Sequence, residues 1–265
     1  MVIYLDSQIV SSQYVYWQHE EQRVRAFLRA TNTGMDPWLR QRWDDAEVEA
    51  DTTFDPERDD AGLTAEIFEK AVGVWPADFF WQLSSAVIKD ACALYEMFLE
   101  AQANEVLGRA GAGLTKMNSE DSWRWNECRA FFSNYVGVNV TTPEIDAVLW
   151  IRNKMTHLRD QLRTQAGRRE FAAHLATLGI SSPATPEEED LGLVEHSRVM
   201  ARGVHLSQLQ TWRILDVLAN QIGVLALAAF PYVYGGKTNP HLTALANRTP
   251  LPIKDFSAGK LFTYI

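Results

Sequence analysis

Apolar residues in this chain recur mostly at steps of three and four, the spacing of one face of an α-helix. The clearest case is 78–108, where Phe80, Leu83, Val87, Ala91, Leu94 and Phe98 keep that rhythm with no proline between them. Asp78 stands where it can cap this helix, and Gly108, Gly111 and Gly113 end it and open a loop. Residues 8–30 have helical spacing too, with Tyr14, Trp17, Val24, Phe27 and Leu28 as the expected buried face. A shorter aromatic helix is expected over 121–136, through Trp123, Trp125, Phe131, Phe132 and Tyr135. Residues 143–178 start sharply: Thr142 can cap, Pro143 suits the first helical position, and Glu144 and Asp146 sit where the helix dipole favours acids. The last long helix is expected over 198–229, broken at the FPYVYGG run. SSPATPEEED (181–190) reads as a loop, and VIYLD near the N-terminus is the one short strand expected. With no alternating βαβ pattern and no internal repeat, the pattern predicts an all-α fold, an antiparallel helix bundle.

Composition changes this picture little. Apolar residues are 46% and charged residues 22% of the 265, an ordinary globular mix that excludes a disordered or low-complexity chain. Two cysteines, Cys92 and Cys128, are too few for a disulfide framework and read as free thiols in a reducing compartment. MVIYLDSQIV lacks a basic leader and a small-residue cleavage site, so a cytoplasmic location is expected. The most apolar stretch, Ile222 to Tyr234, falls short of the roughly 20 residues a bilayer needs. It is expected to be a buried helix followed by a turn, with no membrane partner.

Charge changes it more. The net charge is −9, and residues 1–76 hold 15 acids against 7 bases. The remainder is nearly neutral. Residues 36–69 are densest, with Asp36, Asp44, Asp45, Glu47, Glu49, Asp51, Asp55, Glu57, Asp59 and Asp60 interleaved with Trp38, Trp43 and Phe54. The plain expectation there is a solvated loop and short helix. The sharper one is an acidic segment that docks on a basic surface. The chain therefore divides into an acidic accessory segment (1–75), a helical bundle (76–235) and a C-terminal tail (236–265) that packs on the bundle.

Several familiar patterns fail. Tyr234-Gly235-Gly236-Lys237-Thr238 resembles the end of a phosphate loop, but Pro231 stands where the first glycine is required. His19, His174, His196, His205 and His241 show no ligand spacing with cysteines or carboxylates, so neither a metal nor another cofactor is expected.

One segment survives, IDAVLWIRNKMTHLRDQLR at 145–163. At about 100° per residue, Ile145, Val148, Leu149, Ile151, Met155, Leu158 and Leu162 fall on one apolar arc. Arg152 lies inside that arc, where a guanidinium is costly unless an anion meets it. Asn153 and His157 are one turn apart at the arc's edge. This trio suits phosphodiester chemistry on RNA. Arginine binds phosphate oxygens and stabilises the charge that builds on them. Histidine can take a proton from a 2′-hydroxyl or give one to the leaving 5′-oxygen. With the 2′-hydroxyl as nucleophile no metal is needed, and the products are a 2′,3′-cyclic phosphate and a 5′-hydroxyl. Lys154, Arg159 and Arg163 are candidate substrate-binding residues, and 152–169 carries a net charge of +5 through Arg152, Lys154, Arg159, Arg163, Arg168 and Arg169 against Asp160.

Here the sequence resembles the HEPN superfamily. Trp150-Ile151-Arg152-Asn153-Lys154-Met155-Thr156-His157 matches its arginine, polar residue and spaced histidine near the start of a bundle helix. The preceding aromatic helix, the Thr-Pro helix start and a later long helix are similar too, so the resemblance covers 78–229. It implies a HEPN-like bundle with an acidic N-terminal extension, and an RNase whose catalytic set is Arg152, Asn153 and His157. It also implies a homodimer in which two motif helices form one composite site. That suits the geometry, since Arg152 and His157 are about 140° apart on one straight helix. The implied role is a toxin or antiviral-defence effector with a protein regulator or defence-system partner. HEPN toxins controlled by a nucleotidyltransferase carry a tyrosine two residues after the histidine. Arg159 stands there, so the resemblance does not extend to that control. The competing expectations are that Arg152 pairs with an acid such as Glu96 or Glu100, or that the bundle binds nucleotides or proteins without catalysis, as a sensor or regulatory subunit.

Overall fold

A computed structural model describes residues 4–6, 10–56, 62–73, 76–110, 114–116, 123–157, 165–180, 206, 208–240, 242 and 262–264. The fold is all-α. Its helices are α1 (Ser12–Thr53), α2 (Leu63–Val72), α3 (Pro76–Ala110), α4 (Trp125–Phe131), α5 (Pro143–His157), α6 (Gln165–Thr177) and α7 (Gln208–Val233), with a π-helical turn (Phe132–Val136) after α4. The only regular exception among the described residues is a pair of three-residue antiparallel strands, β1 (Leu114–Lys116) and β2 (Phe262–Tyr264), with Thr115 opposite Thr263. The chain forms two compact units from interleaved stretches. One takes 1–22, 89–150 and 213–265, and the other takes 23–88 and 151–212.

In the first unit, Ser11 caps α1 by accepting the Tyr14 N–H at 3.2 Å, and its hydroxyl donates to the Gln102 side-chain oxygen of α3. Tyr14 and Trp17 are buried, and Trp17 meets Phe98 edge-on with ring centroids 6.4 Å apart. The expected strand at VIYLD is not formed over its described part, Tyr4–Asp6. There the polar groups bond to α1 instead: the Tyr4 hydroxyl donates to Glu21 at 2.6 Å, and the Leu5 N–H donates to the Tyr14 hydroxyl at 3.1 Å. The aromatic helix starts later than expected, at Trp125, where Glu127 folds back to accept the Arg124 N–H at 2.8 Å. Trp123 precedes it, yet is buried, with its indole N–H donating to Asn104 at 2.9 Å. Phe131 packs against Trp123, Phe132 and Tyr135. Cys92 and Cys128 are buried free thiols, as expected.

Helix α7 does not break at Pro231. It runs to Val233 and ends at Gly235 and Gly236. Proline only removes one donor there, and the glycines are required. A Cβ on Gly235 would lie 2.8 Å from the Pro231 Cα, and Gly236 has a φ of 67°. Among the described residues α7 is the one helix long and apolar enough to cross a membrane, and 56% of the qualifying window is buried inside the protein. Its polar residues are used: Gln221 donates to the Asn139 carbonyl at 2.8 Å.

The second unit replaces the loop expected within 36–69 by helix over 36–53, while the expected short helix appears as α2 and 57–61 lie outside the described residues. Residues 36–53 continue α1 as one helix through Gly34 and Pro37. The reason is an apolar stripe threaded between the acids. Leu39, Trp43, Ala46 and Ala50 recur at steps of four, three and four. Leu39, Ala46 and Phe68 form a buried cluster, with Trp43, Ile67, Val72, Phe79 and Phe80 packed on it. The acids occupy the outer face, where Asp36 pairs with Arg40 at 3.0 Å and Asp45 with Arg42 at 3.4 Å. Two expectations for side chains on these helices also change. Phe27 is 56% exposed rather than buried. Asp78 lies inside α3 rather than capping it, since the helix begins at Pro76.

Candidate functional site

The site helix α5 is launched from a firmly tied turn. The Tyr95 hydroxyl donates to the Val140 carbonyl at 2.6 Å, Gln221 holds Asn139, and the Asn239 amide donates to the Tyr135 carbonyl at 2.9 Å. Burial, helped by the nearby Cys128 and Cys92 thiols, raises the Tyr95 phenol far above its ordinary range, so it stays a hydrogen-bond donor. Gly137, at a φ of 80°, closes the π-helical turn through its N–H to the Phe132 carbonyl at 2.8 Å. Thr142 then caps α5 as the sequence suggests, with the Ile145 N–H donating to its hydroxyl oxygen at 3.3 Å. The same hydroxyl and the Glu144 backbone N–H hold the Glu144 carboxyl below its usual range, and the Arg213 charge adds to this.

Along α5, Ile145, Ala147, Val148, Ile151 and Met155 are buried, which confirms most of the apolar arc. Leu149 is half-buried, and Leu158 and Leu162 lie outside the described residues. Arg152 is half-buried beside this arc and engages neighbouring groups. Its Nε is fully buried and donates no hydrogen bond among the described residues. The Arg152 carbonyl accepts the Thr156 hydroxyl at 2.8 Å. Asn153 is exposed and Lys154 half-buried. His157 is the last residue of α5, so the helix is unbroken from Arg152 to His157. The His157 side chain, together with Arg159 and Arg163, lies outside the described residues. The single helix expected over 143–178 appears as α5 and α6, with 158–164 between them also outside the description.

A second imidazole in the same unit, His174, has no ligand spacing in the sequence to mark it. His174 on α6 is half-buried, and its pKa is lowered, first by burial and then by the positive charge of Lys154, against an opposing effect of Glu170. The coupling to Lys154 relates α6 to the motif segment. Only the Glu170–His174 spacing of one helical turn hinted at it, and that spacing matches no ligand or triad pattern. Of the basic residues in 152–169, Arg168 and Arg169 are exposed on α6. The competing partner Glu100 accepts the Trp123 backbone N–H at 3.2 Å. No cluster of three or more potential metal-ligating side chains occurs among the described residues.

Chemically, α5 offers a half-buried guanidinium, an exposed amide and, at helix position 157, an imidazole one turn beyond that amide. A half-buried guanidinium interacts with an anion more strongly than one in water. No family model matches the chain, and no curated protein or solved structure matches it.

Proposed function

We propose that this chain is a metal-independent endoribonuclease of the HEPN type. Its substrate is single-stranded or looped RNA, and its biological role is that of a toxin or antiviral-defence effector in the cytoplasm. The observation that carries this reading is the placement of Arg152, Asn153 and His157 on one unbroken helix, with the arginine half-buried against the apolar face. In this reading His157 takes the 2′-hydroxyl proton, and the 2′-oxygen attacks the adjacent phosphorus. The 5′-oxygen leaves with a proton given by the protonated His157 of the second copy, and Arg152 stabilises the negative charge on the non-bridging oxygens. Asn153 orients the phosphate or the imidazole. Two copies of α5 meeting in a homodimer complete the site, since positions 152 and 157 lie about 140° apart around one helix. Lys154, Arg159 and Arg163 hold the flanking backbone.

The end chemistry tests this. In EDTA, purified protein should cut RNA to 2′,3′-cyclic phosphate and 5′-hydroxyl ends, and should leave the same sequence intact when its sugars are 2′-deoxy. Cleavage of the deoxy strand, or a requirement for Mg²⁺, would refute it.

A second reading, a non-catalytic interaction bundle, draws on the outer face of α1. There Trp38 and Val48 are 40% and 65% exposed among the acids, and Phe54, just past the helix end, is 50% exposed. Under that reading Arg152→Ala would weaken partner binding or stability without any RNA turnover to lose.

A further inference from the structure

Within the acidic N-terminal third, one stretch runs the other way. Residues 22–35 hold Arg23, Arg25 and Arg29 and no acid. The stretch lies on α1, and two of its arginines converge on an aromatic ring. The Cζ atoms of Arg25 and Arg29 sit 5.3 Å and 5.8 Å from the centre of the Trp212 indole. The two guanidiniums therefore lie within about 11 Å of each other. Like charges one turn apart destabilise a helix slightly, and the ring face offsets that.

The contrast with the rest of α1 is chemical. Arg40 and Arg42 each pair with an acid of their own helix. The positions three and four residues either side of Arg29 are Arg25, Ala26, Asn32 and Thr33, so α1 offers it no carboxylate. Arg29 is exposed, and among the described residues its side chain interacts only with the Trp212 ring. Asn32, one turn further on, is 7% exposed, and its amide nitrogen donates no hydrogen bond among the described residues. Arginines held in place by a tryptophan form a site for an anion with several oxygens.

We propose that Arg25 and Arg29, held over Trp212, form a second RNA contact that grips the sugar–phosphate backbone in the compact unit that carries Arg152. This rests on the RNA reading of α5. The indole fixes the two long side chains before RNA arrives, which lowers the entropy cost of ordering them.

The test is binding of a fluorescently labelled, unstructured RNA oligonucleotide to full-length His157→Ala protein, which keeps the strand intact, across a salt series. For single-stranded nucleic acid each phosphate contact contributes a slope of about 0.7 in log affinity against log salt. Arg29→Ala should therefore weaken binding about fivefold at roughly 0.1 M salt, with the difference vanishing near 1 M. The Arg25→Ala/Arg29→Ala pair should weaken it about 25-fold, and Arg29→Lys should restore most of the slope. Arg29 is exposed, so the thermal midpoint of Arg29→Ala should match its parent. If both alanine variants keep the parent's affinity and slope, the second contact is refuted while the RNA reading stands. If the parent binds no RNA even at low salt, the RNA reading fails and this inference falls with it.

Discussion

Replacing Tyr95 by Phe removes one oxygen from the turn that launches the site helix. Tyr95 is fully buried, and its hydroxyl donates to the Val140 carbonyl at 2.6 Å. Val140 is itself 1% exposed, so water cannot readily replace the lost donor. Phenylalanine fills nearly the same volume, and no cavity term enters. What remains is a buried acceptor left without this donor, which costs about 1–3 kcal/mol, less the desolvation the phenol no longer suffers. We expect a net loss of about 1–2 kcal/mol. For a chain of this size that is a fall of roughly 2–8 °C in Tm. Urea denaturation followed by far-UV circular dichroism measures it, and an unchanged m-value would show that the unfolded state is unaffected. Tyr95→Ala, which also opens a cavity, should cost about 3–5 kcal/mol. If Tyr95→Phe were as stable as the parent to within about 0.3 kcal/mol, the tether between α3 and the α5 launch turn would carry no weight and this account of the turn would be wrong.

The other predictions test separate parts of the structure. Thr142→Ala removes the α5 cap and should cost about 1 kcal/mol by urea denaturation. It should also reduce the acid sensitivity that Glu144 confers. A carboxyl held below its usual range stabilises the fold above that range and loses the benefit as pH falls through its folded value, so the gap between the two proteins should narrow in acid to the loss of the Ile145 cap bond alone. His174 has the corresponding sign for an imidazole: with its folded pKa lowered, its contribution is present above about 6.5 and lost as pH falls through the folded value. His174→Asn should flatten the stability profile on the acid side of neutrality, and an unchanged slope there would contradict the assigned environment. Phe68→Ala, at a fully buried position under α1, should cost about 3–5 kcal/mol and reduce helicity, whereas an acidic segment that were merely solvated would register no change.

Elements with uninterrupted apolar periodicity were legible in the sequence. The α3 stripe from Leu83 to Phe98 and the Thr142–Pro143 start of α5 rest on local signals that nothing in the tertiary structure opposes. The second half of α1 was not legible, because Leu39, Trp43, Ala46 and Ala50 are diluted by acids and preceded by Gly34 and Pro37. Their helical state depends on Phe68 and Phe80, which arrive from distant parts of the chain. The same limit hid the end of α7. Pro231 reads as a breaker, yet near a helix terminus it costs one hydrogen bond, and apolar burial on Leu225, Ala226 and Ala229 outweighs that. At the site, the order of Arg152, Asn153 and His157 along one helix followed from spacing alone. The convergence of Arg25 and Arg29 on Trp212 did not, since it joins residues more than 180 positions apart in the chain.

The central claim is that the α5 motif cleaves RNA, and the most direct measurement is the single-turnover rate of Arg152→Ala and His157→Ala beside the parent protein, on one RNA in EDTA. Loss of a general acid–base group should slow cleavage by about 10²–10⁴-fold, and loss of the charge-stabilising guanidinium by about 10²–10³-fold, with both variants retaining the parent's helicity and oligomeric mass. Equal rates for the parent and either folded variant, or no cleavage by the parent, would contradict it.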